Sequence, residues 1–528
     1  TRPQSYTGKA VLHGFEHRHI APLEREGIRT FLEKWSGALY PGNEAGARKH
    51  CKELVGALAS RREIRLMART PVMLTALAVV HWNERRIPEQ RAELYESIIN
   101  WLLRSREERP GRETVDRSRR LLQDLALAMQ SHAEGRQVQV SRPWAAKLLE
   151  RHFGDIEKAE RYLEDEEGDS GVIVSRGHEV RFAHLTFQEY LAARAINGMG
   201  EAAQYKLLLE GDRIYKPEWR EVATLLAGVF HGQGPAKVDG LIGALLDGLG
   251  PKPTLAVQAQ CAGLVGAIVR DLRPLGYSPT DPRYQQTLDA VLGIFDKDKA
   301  ASVEFRMRLE AAEALGQAGD PRLRTPGDEG YWVSIPGEPF QIGRYPVTVD
   351  EFRKFLDDDG YQDARWWVEG GFGKFQEPNE WDEQQGHGNR PVGGVSWFEA
   401  AAYCAWAGVR LATEREWERA ARGAEGREYP WGDEKPDETR ASYGMRVGHP
   451  TPVGLYPKGA TPAGAQDMVG NVWEWVADWF DEKKTLWLLR GGSFGPKVNL
   501  QFAIRFDLAP ENRNVDNGFR CARDAESP

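Results

Sequence analysis

Catalysis in this chain would have to come from thiols, a phosphate-gripping loop, or clustered carboxylates and histidines. The cysteines, Cys51, Cys261, Cys404 and Cys521, are far apart. They are neither spaced as a zinc site nor dense enough for a disulfide framework, and usage of this kind suits a reducing compartment, so a cytoplasmic location is expected. No GxxxxGK[ST] loop exists: Gly8-Lys9-Ala10 and Gly373-Lys374-Phe375 have no Ser or Thr after the lysine and no strand–loop–helix setting. Without the loop's backbone N–H groups and magnesium-binding hydroxyl, ATP hydrolysis by this chain is not supported. A different pattern follows Gly491-Gly492-Ser493. Phe494, Val498, Leu500, Phe502, Ile504, Phe506 and Leu508 share one parity. That is the pattern of a half-buried strand, but from 494 to 508 it would far exceed the usual length of about 5–6 residues. The other reading is an apolar edge displayed for a ligand.

The elements that must position these residues divide the chain in kind. At 528 residues with net charge −8, three or more domains are expected, and nothing favours nucleic acid or an anionic membrane as partner. No apolar run reaches the roughly 18 residues of a membrane span, and the residues given do not read as a signal peptide, so none is expected. Residues 1–325 are rich in Leu, Ala, Arg and Glu, with helices expected at Pro71–Val80, Arg91–Leu103 and Ser118–Met129. Ser175–Phe182 reads as a hairpin leading into the helix of Leu185–Ile196, which fits a winged helix or a helical bundle with a β insertion. Arg308–Arg322 resembles one HEAT-type helix with its Gly-Asp-Pro turn. Thr325–Gly330 is a turn-rich linker. Beyond it, tryptophan, Gly and Pro indicate short strands and loops with a few helices, one of them opened by a Thr413/Glu416 capping box. The fold class is therefore multidomain: mainly α with a winged helix and HEAT-like helices, then an α+β domain. The divisions fall at 1–110, 111–198, 199–325 and 326–528.

The motifs of the last division, Tyr331–Gly337, Ile342–Thr348, Pro391–Trp397, Arg410–Glu418, Val469–Phe480, Leu488–Phe494 and Arg513–Asp524, resemble the sulfatase-modifying-factor family, whose founding member is the formylglycine-generating enzyme. The resemblance implies a C-type-lectin-like fold, with one surface loop shortened between Pro336 and Ile342. The family's enzymes use a copper-binding cysteine pair just after Gly-Gly-Ser, and thiolates suit that soft metal. The matching positions here fall at about Pro496 and Gln501, so formylglycine chemistry is not expected. Nor is there the His-rich iron site of the related sulfoxide synthases. The resemblance also implies a calcium loop at Asp467, Gly470, Val472 and Glu474, two carboxylates and two carbonyls being hard oxygen donors; alternatively Asp467 and Glu474 are hydrogen-bonded turn residues. Leu500, Ala503, Arg505, Asn512, Arg513, Asn517, Gly518, Phe519 and Arg520 occupy frame positions, with Arg505 anchored inside.

Apolar residues replace the usual polar ones at Phe502, Ile504, Phe506, Leu508 and Val515. This resembles the variable proteins of diversity-generating retroelements, whose adenine-directed mutation of AAC codons yields Phe, Leu, Ile, Val and Asp. Phe502, Ile504, Phe506, Asp507, Leu508 and Val515 fit that code; Lys497, Gln501 and Glu511 do not. The expected ligand surface is Phe494, Lys497, Val498, Phe502, Ile504, Phe506, Asp507, Leu508, Asn514 and Val515. Plain core packing is the other reading.

Residues 1–230 resemble the NACHT class of signalling ATPases, through Thr1-Arg2-Pro3, Ala68–Thr75 and Phe182–Tyr190. The resemblance implies that Arg2, Pro71 and His184 are remnants of a nucleotide site, with the phosphate loop in sequence preceding Thr1, so ATP or ADP would bind only with that upstream domain. A packed or capping histidine is the other reading of His184. The sequence thus points to a non-catalytic recognition protein coupled to a truncated switch, with an unidentified protein ligand and oligomerisation through the NACHT part. An oxidoreductase of the formylglycine type and an invariant interaction scaffold are the alternatives.

Overall fold

The computed structural model describes residues 23–59, 64, 68–69, 71–84, 86–88, 90–104, 112–176, 178–495 and 505–525. The chain forms two compact units, Thr1–Leu102 and Leu103–Pro528. In the first, α1 (Arg25–Leu39), α2 (Glu44–Ala59), α3 (Pro71–Glu84) and α4 (Arg91–Arg104, running just past the unit's end) bury Leu32, Leu54, Leu74, Leu77 and Leu94. Proline at the first helical position suits α3, because its missing N–H has no helical partner there.

The second unit opens with α5 (Val115–Gln130), β1 (Val140–Ser141), α6 (Arg142–Phe153), α7 (Ile156–Asp169), β2 (Ile173–Arg176), β3 (Glu179–Phe182) and α8 (Leu185–Asn197). Side chains of Thr114, Ser141, Asp155 and His184 cap the helices. The strands run β1-β3-β2, all antiparallel. Two buried ion pairs, Arg136–Glu189 at 3.2 Å and Arg112–Glu166 at 3.4 Å, brace it. The expected hairpin is present, and the arrangement is a winged helix.

The connector follows as α9 (Glu201–Leu209), α10 (Arg220–His231), α11 (Pro235–Asp247), α12 (Leu255–Leu272), α13 (Pro282–Ala290) and α14 (Phe305–Ala318). Leu255–Leu275 is by length and composition apolar enough to cross a membrane, although Gln258, Gln260, Arg270 and Asp271 interrupt any continuous apolar run. It is nevertheless packed: Gly263 and Gly266 leave room for α14, where an added Cβ would meet Glu310 at 2.7 Å and Ala314 at 2.3 Å.

The C-terminal domain holds two four-stranded sheets. In one, β4 (Trp332–Ser334), β5 (Phe340–Gly343), β11 (Cys521–Asp524) and β6 (Arg410–Leu411) lie in the order β4-β5-β11-β6. The short connection after Pro336 lets β4 and β5 pair directly, Ser334 opposite Gln341. In the other, β7 (Trp473–Trp479), β8 (Trp487–Arg490), β9 (Phe506–Leu508) and β10 (Asn517–Phe519) lie in the order β10-β7-β8-β9, with β10 parallel to β7. The helices α15 (Val349–Asp357), α16 (Trp381–Gln384), α17 (Trp397–Trp406) and α18 (Glu414–Arg422) complete it. Capping boxes open α15, α17 and α18, including the expected Thr413/Glu416 pair. The core is aromatic, with Phe352, Phe355, Tyr403, Trp475 and Phe519 buried together.

Candidate functional site

β9 is a three-residue edge strand, Phe506–Leu508, and is the part of the 494–508 pattern that is strand among the described residues. Its Leu508 lies opposite Trp487 and packs half-buried against the core, while Phe506 lies opposite Leu489. Phe506 is 39% exposed and stacks on buried Trp473, the rings 5.1 Å apart. Beside it, Trp487 stacks on Trp397 at 3.5 Å and meets Trp479 at a tilt at 4.0 Å, a stiff aromatic floor along this sheet. Val515 is 40% exposed. Its carbonyl lies 2.2 Å from where a Cβ on Gly393 would stand, so glycine alone permits that approach. Asn514 is exposed and Asp507 half-buried.

Phe494 departs from expectation. It is 7% exposed, its N–H donates to the Asn471 carbonyl at 3.0 Å, and its own carbonyl accepts from Met445 at 2.8 Å. It belongs to the frame, not the ligand surface. Arg505 departs as well: it lies at the surface, paired with Glu414 at 2.8 Å, and is not anchored inside. The guanidiniums buried in its place are Arg490 and Arg520. Lys497, Val498, Phe502 and Ile504, and with them Pro496 and Gln501, lie outside the described residues, as does Arg2.

Sequence reasoning missed the loop that borders this face. Val368 is 76% and Phe372 47% exposed. Lys374 pairs with Glu511 at 2.9 Å, the Arg513 guanidinium lies 4.4 Å from the Phe375 ring centre, and Asn379 donates to the Arg513 carbonyl at 3.2 Å. The available signal was the Trp366-Trp367 and Gly370-Gly371 run, aromatic and turn-prone in a segment without helical or strand periodicity. Met445, 48% exposed, is tied through its backbone N–H to the frame residue Phe494.

Beneath the face lies the Asp467–Glu474 loop. Glu474 accepts from Arg520 Nη2 at 2.8 Å and Nε at 3.0 Å, and from Trp417 Nε1 at 2.7 Å. Arg520 also donates to the carbonyls of Gly343, Arg344 and Gln466. Asn471, at φ 66°, exchanges side-chain hydrogen bonds with the Thr451 backbone, and a Cβ on Gly470 would sit 2.3 Å from the Ser442 carbonyl. Asp467 accepts the Gly454 N–H at 2.6 Å; burial pushes its carboxyl up to about 6. A calcium ion held by Asp467, Gly470, Val472 and Glu474 would have to share Glu474 with a guanidinium that already grips both its oxygens. That ligand set does not fit calcium; the hydrogen-bonded-turn reading fits.

Cys404 and Cys521 are buried free thiols, and burial followed by the neighbouring Cys521 pushes the Cys404 thiol well above the ordinary range. His184 caps α8, its Nδ1 accepting the Thr186 N–H at 3.3 Å. Pro71 begins α3 in the first unit, and His184 lies in the second.

Residues 314–525 match the sulfatase-modifying factor enzyme 1-like domain, and residues 82–196 match the winged helix-turn-helix domain C-terminal to NACHT. The chain is 45% identical over 165 residues to hercynine oxygenase of Mycobacterium tuberculosis, a match covering 27% of this chain and 38% of that protein. It therefore spans little more than a third of that relative's length. It is 31% identical over 255 residues to the inactive C-alpha-formylglycine-generating enzyme 2 of Bos taurus, covering 38% of this chain and 82% of that protein. Among solved structures it is similar to Treponema denticola variable protein 1, at 20% identity and TM-score 0.26, over 37% of this chain and 91% of that chain.

Proposed function

We propose, from the premise that this chain belongs to the sulfatase-modifying-factor family, that its C-terminal domain is a non-catalytic recognition module whose protein ligand lands on the face around residues 505–516. The observation that carries this reading is the pairing of exposed apolar side chains, Phe506 and Val515, with an aromatic floor and a backbone held by glycine contacts. Rigid aromatic anchors on a preorganised frame are what a protein-binding surface requires. Catalysis of the formylglycine type needs accessible thiolates, whereas Cys404 and Cys521 are buried. One relative, the Bos taurus protein, is by name an inactive formylglycine-generating enzyme.

The finer reading is that the face is diversified. Phe506, Asp507, Leu508 and Val515 are residues that adenine-directed change of AAC codons can produce, and all four lie on or beside the exposed edge. The winged helix would then belong to a NACHT-type switch in the cytoplasm that answers ligand binding, with ATP or ADP bound only when an upstream nucleotide domain is present. Self-association through the NACHT part is the expected output.

A displayed library of the full chain, randomised at Phe506, Asp507, Asn514 and Val515 and panned against unrelated folded proteins, tests the face. Protease-resistant clones whose binding disappears when these four positions are restored are the expected result. Loss of protease resistance as complete as after randomising Asn517 and Arg520 would show these positions to be frame, and end the reading.

A further inference from the structure

The turn-rich linker expected at Thr325–Gly330 is present, but the connector and the C-terminal domain are also joined through α14. α14 is built into both sides. One face receives Gly263 and Gly266 of α12 without room for a side chain, and Arg220 ties the two helices by donating to the Gly263 carbonyl at 2.5 Å and pairing with Glu310 at 3.3 Å. The other face enters the C-terminal domain. Glu313, buried, receives Arg390 through Nε at 2.8 Å and Nη2 at 2.6 Å on one oxygen, and His387 Nδ1 at 2.6 Å on the other. Asn389, fully buried, donates to the Ala312 carbonyl and to Asp320, both at 2.8 Å. A Cβ on Gly316 would stand 2.2 Å from the Asn389 side-chain oxygen, so any larger residue there would have to displace that buried amide. Farther along, Arg308 donates to the Leu455 carbonyl at 3.1 Å and Arg322 to the Val453 carbonyl at 3.0 Å. The linker is itself folded back, Asp328 accepting from Thr325 and Trp332 donating to Pro326.

We infer that α14 is a shared structural member that locks the connector and the C-terminal domain into one cooperative body, so that displacement at the ligand face reaches the winged-helix side through this helix and not through a flexible tether. A buried, charged and hydrogen-bonded joint has this consequence because partial separation would strand Glu313, Arg390 and Asn389 without partners or water. An interface of loosely packed, exposed polar groups would carry no such penalty. The cooperative joint stands without any ligand, and only the transmission from the ligand face rests on the proposed function.

Hydrogen exchange on the full chain, read by mass spectrometry, tests it without any ligand. The slowest amides of α12 and of β7 should share one opening in the unchanged protein. In Glu313→Ala, and separately in Arg390→Ala on the other side of the joint, both sets should accelerate by the same factor, on the order of a hundredfold. If either substitution prevents folding, Arg390→Lys, which keeps a charge but loses the two-pronged contact, gives the same reading on a smaller scale. Acceleration confined to one of the two elements, or to residues 308–320 alone, would overturn the inference.

Discussion

Glu474 and Arg520 meet where neither is exposed, and between them they tie the β7 strand to four other backbone or side-chain groups. Removing one charge leaves the other buried and unmatched. Glu474→Gln should therefore lose about 3–5 kcal/mol of stability, measured by urea unfolding. Because Arg520 already holds this carboxylate, calcium and a chelator should give the same melting temperature; an upward shift with calcium alone would restore the metal-site reading. Asp467 behaves in the opposite sense. Burial first, and the nearby Glu474 charge, raise its folded-state pKa from 3.8 to about 6. A raised acid favours folding only while protonated, so this contribution is complete below pH 3.8 and is lost as pH rises through about 6. Asp467→Asn should stabilise the protein by up to about 3 kcal/mol near pH 7.5 and leave it little changed near pH 4. Paired unfolding curves at those two pH values read this directly.

At the scale of elements, local signals were the legible ones. The Thr413/Glu416 box lies within four consecutive residues, and the structure closes both of its hydrogen bonds, at 3.2 and 2.9 Å. Thr413→Ala should cost about 1 kcal/mol by chemical denaturation. Likewise the β2–β3 hairpin and the helices at Arg91 and Val115 follow from turn residues and 3.6-residue periodicity close at hand, and the helix at Pro71 from its leading proline and apolar run. What depends on distant pairing was not legible. Phe494 shares parity with Phe506, yet one is frame and the other surface, because Phe494 is clasped by Asn471 and Met445 from other parts of the chain. Arg505 and Arg520 are the same residue type in neighbouring motifs, and only the parallel pairing of β10 with β7, followed by β11, decides which guanidinium is buried. Gly470 shows the tightness of the loop: an alanine there meets the Ser442 carbonyl at a positive φ, and Gly470→Ala should lower stability by about 1–3 kcal/mol in the same assay.

At the scale of the molecule, the chain joins a winged helix, a helical connector and a sulfatase-modifying-factor domain whose exposed edge differs in character from its frame. Buried Asn517, Gly518, Phe519 and Arg520 hold the domain together, whereas the side chains of Phe506, Asn514 and Val515 stand exposed at its edge. A protein that evolves recognition quickly would need that separation, since variation at the edge leaves the frame's hydrogen bonds untouched. The central claim is most directly tested by sequencing the codons of residues 494–520 in many cells descended from one clone. The account predicts base changes concentrated in the codons of Phe502, Ile504, Phe506, Asp507, Leu508 and Val515, with those of Lys497, Gln501, Glu511, Asn517 and Arg520 unchanged. Codons for the exposed edge that vary no more than those of the buried frame would contradict it.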